Sequence, residues 1–287
     1  MITILLAASL TAASLPADYP VCNAEVCPER ENDFAWENDK FGMRAYGPGE
    51  FHKWSGFDVF NKAAIDENYC IPILHRTVKV GGKPINIHKN VLGKGMDNYT
   101  MGASRGVGGV AVYGDGEWKT YGPWEKCEII HTGDDYVELE LVYPACSTLG
   151  KMTYRITLRR GERFFRNDVS FEFANRMRGD FRVGPGLDLE PKRDHKGSLV
   201  EEPGRVSLFE DAKGKDGAEG SAMEAIVVAD PSAVEVLTDG QNCRVLAFKT
   251  AKFTYWAGSA WSLAGEVTTA GAWHDIVRNF QKGLKTK

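Results

Sequence analysis

A chain of 287 residues, 43% hydrophobic and 26% charged with a net charge of −4, has the makeup of a globular protein of one large domain or two smaller ones. The mild acidity argues against a nucleic-acid surface, and an acidic ligand would need a local basic pocket rather than a long-range field. Beyond the first residues no apolar run approaches bilayer length.

Residues 1–15 (MITILLAASLTAASL) are apolar and small, too short to span a membrane and similar to the apolar region of a secretory signal. Ala12, Ala13 and Ala17 offer cleavage positions, although a basic leading region is missing. The expected organisation is a signal over 1–17, a polar linker over 18–32 and a single domain over 33–287. Cys22 follows Tyr-Pro-Val, which is not a lipoprotein box. The expectation is therefore a periplasmic or secreted protein with no membrane attachment after cleavage. Six cysteines, at 22, 27, 70, 127, 146 and 243, permit disulfides in such a compartment. Cys22 with Cys27 and Cys127 with Cys146 are candidate pairs, and Cys70 and Cys243 read as buried thiols. No CxxC pair suggests a zinc site.

From Lys40 the pattern alternates, with Phe41, Met43 and Ala45 on one face. This predicts a strand ended by Gly47-Pro48 and preceded by a turn over residues 36–39. Pro72 disfavours a central strand over residues 69–76, and residues 79–83 (KVGGK) read as a hairpin turn. Further on, turns at 113–116 and 133–135 separate strand signals. Residues 136–143, 152–158 and 164–173 then alternate cleanly, an antiparallel meander with polar outer faces. Gly184-Pro185-Gly186 reads as a turn and residues 213–220 as an exposed one. Strands resume at 225–229, 244–248 and 253–258. At the end, Ala272, Trp273, Ile276, Val277, Phe280 and Leu284 recur at helical spacing, with Thr268 or Thr269 as the cap. The expected fold is all-β, two large antiparallel sheets packed face to face with one C-terminal helix.

Chemistry concentrates in residues 84–110 (PINIHKNVLGKGMDNYTMGASRGVGGV). Glycines there permit positive φ and close approach of another backbone or a ligand. His88, Lys89, Lys94, Asp97, Tyr99 and Arg105 read equally as a functional loop or a solvated one. An Arg that neutralises a carboxylate beside a His or Tyr that moves a proton suits abstraction α to that carboxylate. His88, Tyr99 and Arg105 fit those roles if the loop folds back on itself. His75 and His195 also lie in polar segments. Trp36, Trp54, Trp118, Trp124, Trp256 and Trp261 read either as sugar-stacking faces or, for any one of them, more readily as core. GxSxG, HExxH, P-loop and dinucleotide fingerprints are missing. The glycines of 102–109 open no strand-to-helix turn, so a nucleotide site is rejected.

Trp36-Glu-Asn-Asp39, Arg44-x-Tyr46-Gly-Pro48, Ser55-Gly-Phe-Asp58, Gly95-Met-Asp97-x-Tyr99, Gly102-x-Ser104-Arg105-Gly106 with Gly108-Gly109, and Tyr255-Trp-Ala-Gly258 with Trp261 together resemble a bacterial exported family. It is catalogued as a domain of unknown function, and its genes sit beside pectin- and ulvan-degrading enzymes. The resemblance covers the chain from about Asn32 onward. It implies a carbohydrate-related role and a β-supersandwich like that of galactose mutarotases and several polysaccharide lyases. Family loops often carry an acidic residue before Gly-Met-Asp where this chain has Lys94.

The expectation is an enzyme acting on uronic-acid-containing oligosaccharides by β-elimination, as lyase or dehydratase. Arg105 would neutralise the carboxylate, helped by Lys94 or Arg44. His88 or Tyr99 would transfer the proton, and Asp97 would orient one of them. Glu37, Asn38, Trp54, Trp261 and His195 would contact sugar. An oligosaccharide is the expected partner, with no cofactor and no metal. The alternatives are a sugar mutarotase or isomerase and a non-catalytic carbohydrate-binding protein.

Overall fold

The computed structural model describes residues 19–49, 55–63, 68, 70–71, 79–80, 83–84, 86–90, 92–99, 101, 104–145, 149–173, 181–189, 199–211, 219–240 and 243–285. The first part of the chain forms β1 (Asn23–Cys27), β2 (Asp33–Glu37), β3 (Phe41–Ala45), β4 (Phe57–Lys62), β5 (Lys79–Val80), β6 (Lys83–Pro84) and β7 (Gly95–Met96). The middle forms β8 (Val107–Gly114), β9 (Glu117–Lys119), β10 (Lys126–His131), β11 (Tyr136–Tyr143), β12 (Lys151–Arg159), β13 (Phe164–Glu172) and β14 (Arg182–Asp188). The last part forms β15 (Leu199–Glu202), β16 (Arg205–Asp211), β17 (Ser221–Val227), β18 (Glu235–Asp239), β19 (Cys243–Ala247), β20 (Lys252–Trp261) and α1 (Ala270–Leu284).

Three antiparallel sheets hold nearly all of these strands. Their orders are β1-β2-β3-β4-β7, β10-β11-β12-β13-β20-β17-β16-β15 and β18-β19-β14-β8-β9, with β5-β6 a separate hairpin. The architecture is an all-β sandwich with a single C-terminal helix among the described residues. Alternation in β11 to β13 points Val137, Leu139, Leu141, Met152, Tyr154, Ile156, Phe165 and Val169 into one core. That core is shared by all three sheets. The Trp36 ring of the first sheet lies 6.0 Å from Phe165 of the second, and Phe57 lies 5.2 Å from Tyr154. Tyr154 Oη in turn accepts from Val110 N of the third sheet at 2.9 Å.

The first and third sheets meet where the glycine-rich loop ends. Phe57 and Gly106 form an isolated parallel bridge, and Phe57 N donates to Arg105 O at 3.2 Å. Gly106 sits at φ +59, and a Cβ there would overlap the Phe57 carbonyl. The glycine serves a second backbone rather than a ligand. Gly106→Ala is expected to cost on the order of 3 kcal/mol, the left-handed penalty plus the overlap. Urea unfolding checks it.

The helix obeys its periodicity. Thr269 Oγ1 accepts from Ala272 N at 3.3 Å as the N-cap. Trp273 and Val277 are buried against Phe164, Met223, Ala225, Val227 and Ala260, each worth about 1.5–3 kcal/mol of burial. The segment entering the helix is tied down by Glu266, which pairs with Lys40 at 2.8 Å and with Arg163. Partial burial works against the Glu266 charge, but Lys40 and Arg163 outweigh it and hold its pKa below the usual 4.5. A lowered carboxylate pKa contributes stability that is present above the unfolded value and fades as pH falls through the folded one. The stability gap between wild type and Glu266→Gln is therefore expected to be constant near neutrality and to close in acid, read as Tm against pH.

Several expectations change. The packed layers comprise three large sheets rather than two. The stretch expected as a linker carries β1, paired along its length with β2 from Asn23↔Glu37 to Cys27↔Asp33. Trp36 and Glu37 belong to β2, so the turn begins only at Asn38. Gly184-Pro185-Gly186 runs through β14 instead of turning. There the glycines admit close neighbours, the Leu246 carbonyl and the Arg105 and Cys243 side chains, and Pro185 lies at a register shift against β8. Strands β15, β16 and β18 were not read from the sequence.

Cys22, Cys27, Cys70, Cys127 and Cys243 are free thiols. The Cys22–Cys27 bridge is therefore absent, while Cys70 and Cys243 are buried as expected. Burial pushes the Cys22 and Cys243 thiols up to about 12. Cys146 lies outside the described residues, and so do residues 1–18, His75 and most of 213–220. No helix among the described residues is long and apolar enough to cross a membrane.

Candidate functional site

The glycine-rich loop does fold back on itself, around an Asn-initiated turn. Asn86 Oδ1 accepts from His88 N at 3.0 Å and Asn86 O from Lys89 N at 3.1 Å, the local bonding that makes Asn a turn former. Farther along, Asn90 Oδ1 accepts from Gly95 N at 3.1 Å, and Asp97 N donates to Ile87 O at 2.8 Å. The loop is anchored by β7, whose Gly95 and Met96 pair with Lys62 and Asn61 of β4.

This closure sets His88 on Asp97. The imidazole Nδ1 lies 3.2 Å from Asp97 O and 3.6 Å from Asp97 Oδ2. The His88 side chain is 66% exposed and that of Asp97 1%. An accessible imidazole therefore rests on an inaccessible carboxylate. With the Nδ1 proton donated to the Asp97 carbonyl, Nε2 becomes the basic nitrogen.

Asp97 is itself held by a charged network that the sheet register builds. Arg44 of β3 stands opposite Asp58 of β4 and donates to Asp58 Oδ2 from Nε at 3.1 Å and Nη2 at 2.6 Å. Nη1 reaches Asp33 Oδ2 of β2 at 3.2 Å, and Nη2 reaches Asp97 Oδ2 at 3.2 Å. Tyr46 Oη donates to Asp58 Oδ2 at 2.9 Å. The guanidinium also lies 4.7 Å from the Tyr46 ring centre and 5.0 Å from that of Phe60. Burial opposes the Arg44 charge, yet Asp58, Asp97 and Asp33 raise its pKa overall. Burial and the Asp58 charge keep the Tyr46 phenol protonated. One guanidinium thus organises three buried carboxylates, and the last of them carries His88.

The other expected residues lie elsewhere. Tyr99 is enclosed, with Oη 3.4 Å from Asp188 O. Burial, reinforced by Asp188, Glu224 and Glu210, holds its phenol far above the normal range, so it is no base near neutrality. Arg105 is buried in the third sheet, 2.6 Å from Asp239 Oδ2 and with its guanidinium 4.4 Å from the Trp118 ring centre. The expected grouping of His88, Tyr99 and Arg105 is replaced by His88, Asp97 and Arg44.

Glu37 is fully buried, paired with Lys62 Nζ at 3.0 Å and accepting from Cys70 N and Ile71 N at 3.0 Å each. Asn38 Nδ2 donates to Arg159 O at 2.7 Å and Glu162 O at 2.8 Å, and its Oδ1 accepts from Lys40 N and Phe41 N. Both tie strands together instead of presenting a face to sugar. Trp261 is buried and donates from Nε1 to Glu219 O at 2.7 Å. Lys94 is exposed on the loop, its carbonyl accepting from Ala63 N at 2.7 Å. Trp54 and His195 lie outside the described residues.

Sequence reasoning missed Asp33, Tyr46 and Asp58 as a unit. For the two aspartates the signal is charge inside strands buried along their whole length, Asp33 and Glu37 in β2, Arg44 in β3, Asp58 and Lys62 in β4. Among the described residues no group of three or more His, Cys, Asp or Glu is arranged to hold a metal ion.

The chain is similar to "Uncharacterized protein P7" of Formosa agariphila, at 27% identity over 290 residues that cover 92% of this chain and 68% of that protein. A family model described as "Domain of unknown function (DUF4861)" matches residues 9–287. With nearly the whole chain matched, the protein belongs to the DUF4861 family.

Proposed function

We propose that the protein is an exported enzyme that eliminates across the C4–C5 bond of a uronic-acid residue in an oligosaccharide, as a lyase or a dehydratase. The observation that carries this reading is the exposed His88 imidazole held through Nδ1 by the buried Asp97, itself fixed by Arg44. Nε2 takes the C5 proton, acidic because it lies α to the carboxylate. The electrons of that C–H bond form the C4–C5 double bond, and the C4–O bond breaks with its pair on oxygen. The imidazolium then returns a proton to the departing oxygen, giving an alcohol or water and leaving His88 neutral. A positioned base on a fixed second group has the organisation of proton-transfer sites generally. The burial of Trp36, Trp124 and Trp261 removes three stacking platforms that a purely sugar-binding protein would use.

The test is the ultraviolet absorbance of the unsaturated uronate when purified protein meets saturated oligosaccharides from pectin, alginate and ulvan. Rising absorbance is expected on at least one. Mass spectrometry then separates water loss from chain cleavage. A flat trace on all three sinks the elimination reading.

A further inference from the structure

The two arginines expected to meet a substrate carboxylate are engaged elsewhere, Arg105 with Asp239 and Arg44 with three aspartates. Recognition beside His88 falls to the loop that carries it. There the backbone is pinned on both sides of the His88 Cα. The preceding carbonyl, Ile87 O, accepts from Asp97 N at 2.8 Å, and the Ile87 side chain is buried as an anchor. His88 N donates to Asn86 Oδ1 at 3.0 Å, and the next N–H, that of Lys89, donates to Asn86 O at 3.1 Å. The ring is then held through Nδ1 by Asp97.

The bond to Asn86 fixes more than the histidine. A backbone N–H can only donate, so the amide atom that meets it is the oxygen, and the two amide atoms are told apart by chemistry. With Oδ1 committed to His88 N, the plane of the amide is set and Nδ2 is left as a donor of fixed direction. Asn86 is exposed, and among the described residues its Nδ2 enters no hydrogen bond. An open donor that is already oriented, one hydrogen bond away from the backbone of the base, loses little freedom when a ligand oxygen takes it up.

We propose that Asn86 is a substrate-binding residue of the His88 site: Oδ1 positions the base, and Nδ2 donates to a carboxylate oxygen of the bound sugar. The proposal rests on the elimination reading for the identity of the acid as a uronate. A donor at that oxygen stabilises the charge that builds on the carboxylate as C5 loses its proton.

The experiment compares binding of saturated digalacturonate and of its carboxyl-reduced, neutral counterpart to the full chain by calorimetry, in a His88→Gln background that slows turnover of the ligand. Asn86→Ser keeps a weaker acceptor for the turn and has no amide donor; Asn86→Asp keeps the acceptor and puts a negative oxygen in place of the donor. The parent is expected to prefer the acid by about 10-fold or more, the value of one charge-assisted contact. Both variants should lose that preference while binding the neutral sugar as before. An undiminished preference in Asn86→Ser overturns the contact, since a loss confined to Asn86→Asp would be repulsion at a distance. A parent that binds neither sugar, or both equally, overturns it too. The positioning half is read with His88 in place, by nitrogen-15 NMR of its ring. Nδ1 should carry the proton in wild type and in Asn86→Asp, and a mixture of tautomers should replace it in Asn86→Ala. An unchanged ring signal in Asn86→Ala overturns that half. The two readings fail separately. A flat absorbance trace with a preference that depends on Asn86 removes the elimination and leaves the contact; rising absorbance with the preference intact in Asn86→Ser removes only the contact.

Discussion

Arg44→Met is expected to destabilise the protein by roughly 3–5 kcal/mol, because it removes one partner of a buried ionic network and leaves the others uncompensated. Methionine keeps the apolar stem, so packing loss alone would be about 1 kcal/mol. The rest comes from Asp33, Asp58 and Asp97, all buried and all within 3.2 Å of that guanidinium. The size of the effect distinguishes the two sources in a urea titration. A second signature is the dependence on pH. In the variant the buried carboxylates lack their cation, so their folded pKa values rise above the unfolded ones. The folded state then binds more protons than the unfolded state, and stability increases as pH falls from neutrality. The deficit against wild type should therefore shrink in mild acid. A deficit that stays near 1 kcal/mol and is flat with pH would mean that the network holds nothing together. Arg44→Lys should recover only part of the loss, since a single ammonium cannot bridge three carboxylates in the geometry of the guanidinium.

The sequence disclosed the parts of this fold whose physics is local. Strands β11, β12 and β13 alternate because one face meets the core and the other water, and α1 shows its stripe and its cap for the same reason. In the first sheet β3 still shows its alternation in Phe41, Met43 and Ala45, while β2, buried along its whole length, ends in Trp36 and Glu37, which next to Asn38 and Asp39 read as part of a turn. The site divides in the same way. That His88 and Asp97 meet follows from a turn-forming Asn86 and a loop of few residues, and Asp97 was expected to orient a proton-transfer group. That Asp33, Arg44 and Asp58 converge depends on register between strands, which no single strand encodes. Arg105 was misplaced because its glycine-rich surroundings look like an open loop. Those glycines in fact let the Phe57 backbone and the Tyr255 and Ala257 side chains press close, and the guanidinium is enclosed with them.

His88→Gln is expected to reduce turnover by about 10² to 10⁴-fold, the range for loss of a positioned acid or base, without moving Tm. The two halves of that statement come from different observations. The side chain is 66% exposed, and among the described residues its polar contacts are with Asp97, so its removal leaves the sheet register and the Arg44 network intact. Surface changes of this kind stay within about 0.5 kcal/mol. Asp97→Asn tests the same pair from the buried side and should give a different pattern. It keeps the shape and the backbone carbonyl that receives Nδ1, so the rate should fall less than in His88→Gln. It also removes one of the charges around Arg44, so Tm should fall, unlike in the histidine variant. A catalytic dyad thus predicts opposite rankings of the two variants in rate and in stability. If His88→Gln turns over at the wild-type rate, the imidazole carries no proton in the reaction. If both variants lose activity only in proportion to their loss of folded protein, Asp97 and His88 are an ordinary loop contact and the chemistry lies elsewhere in the chain.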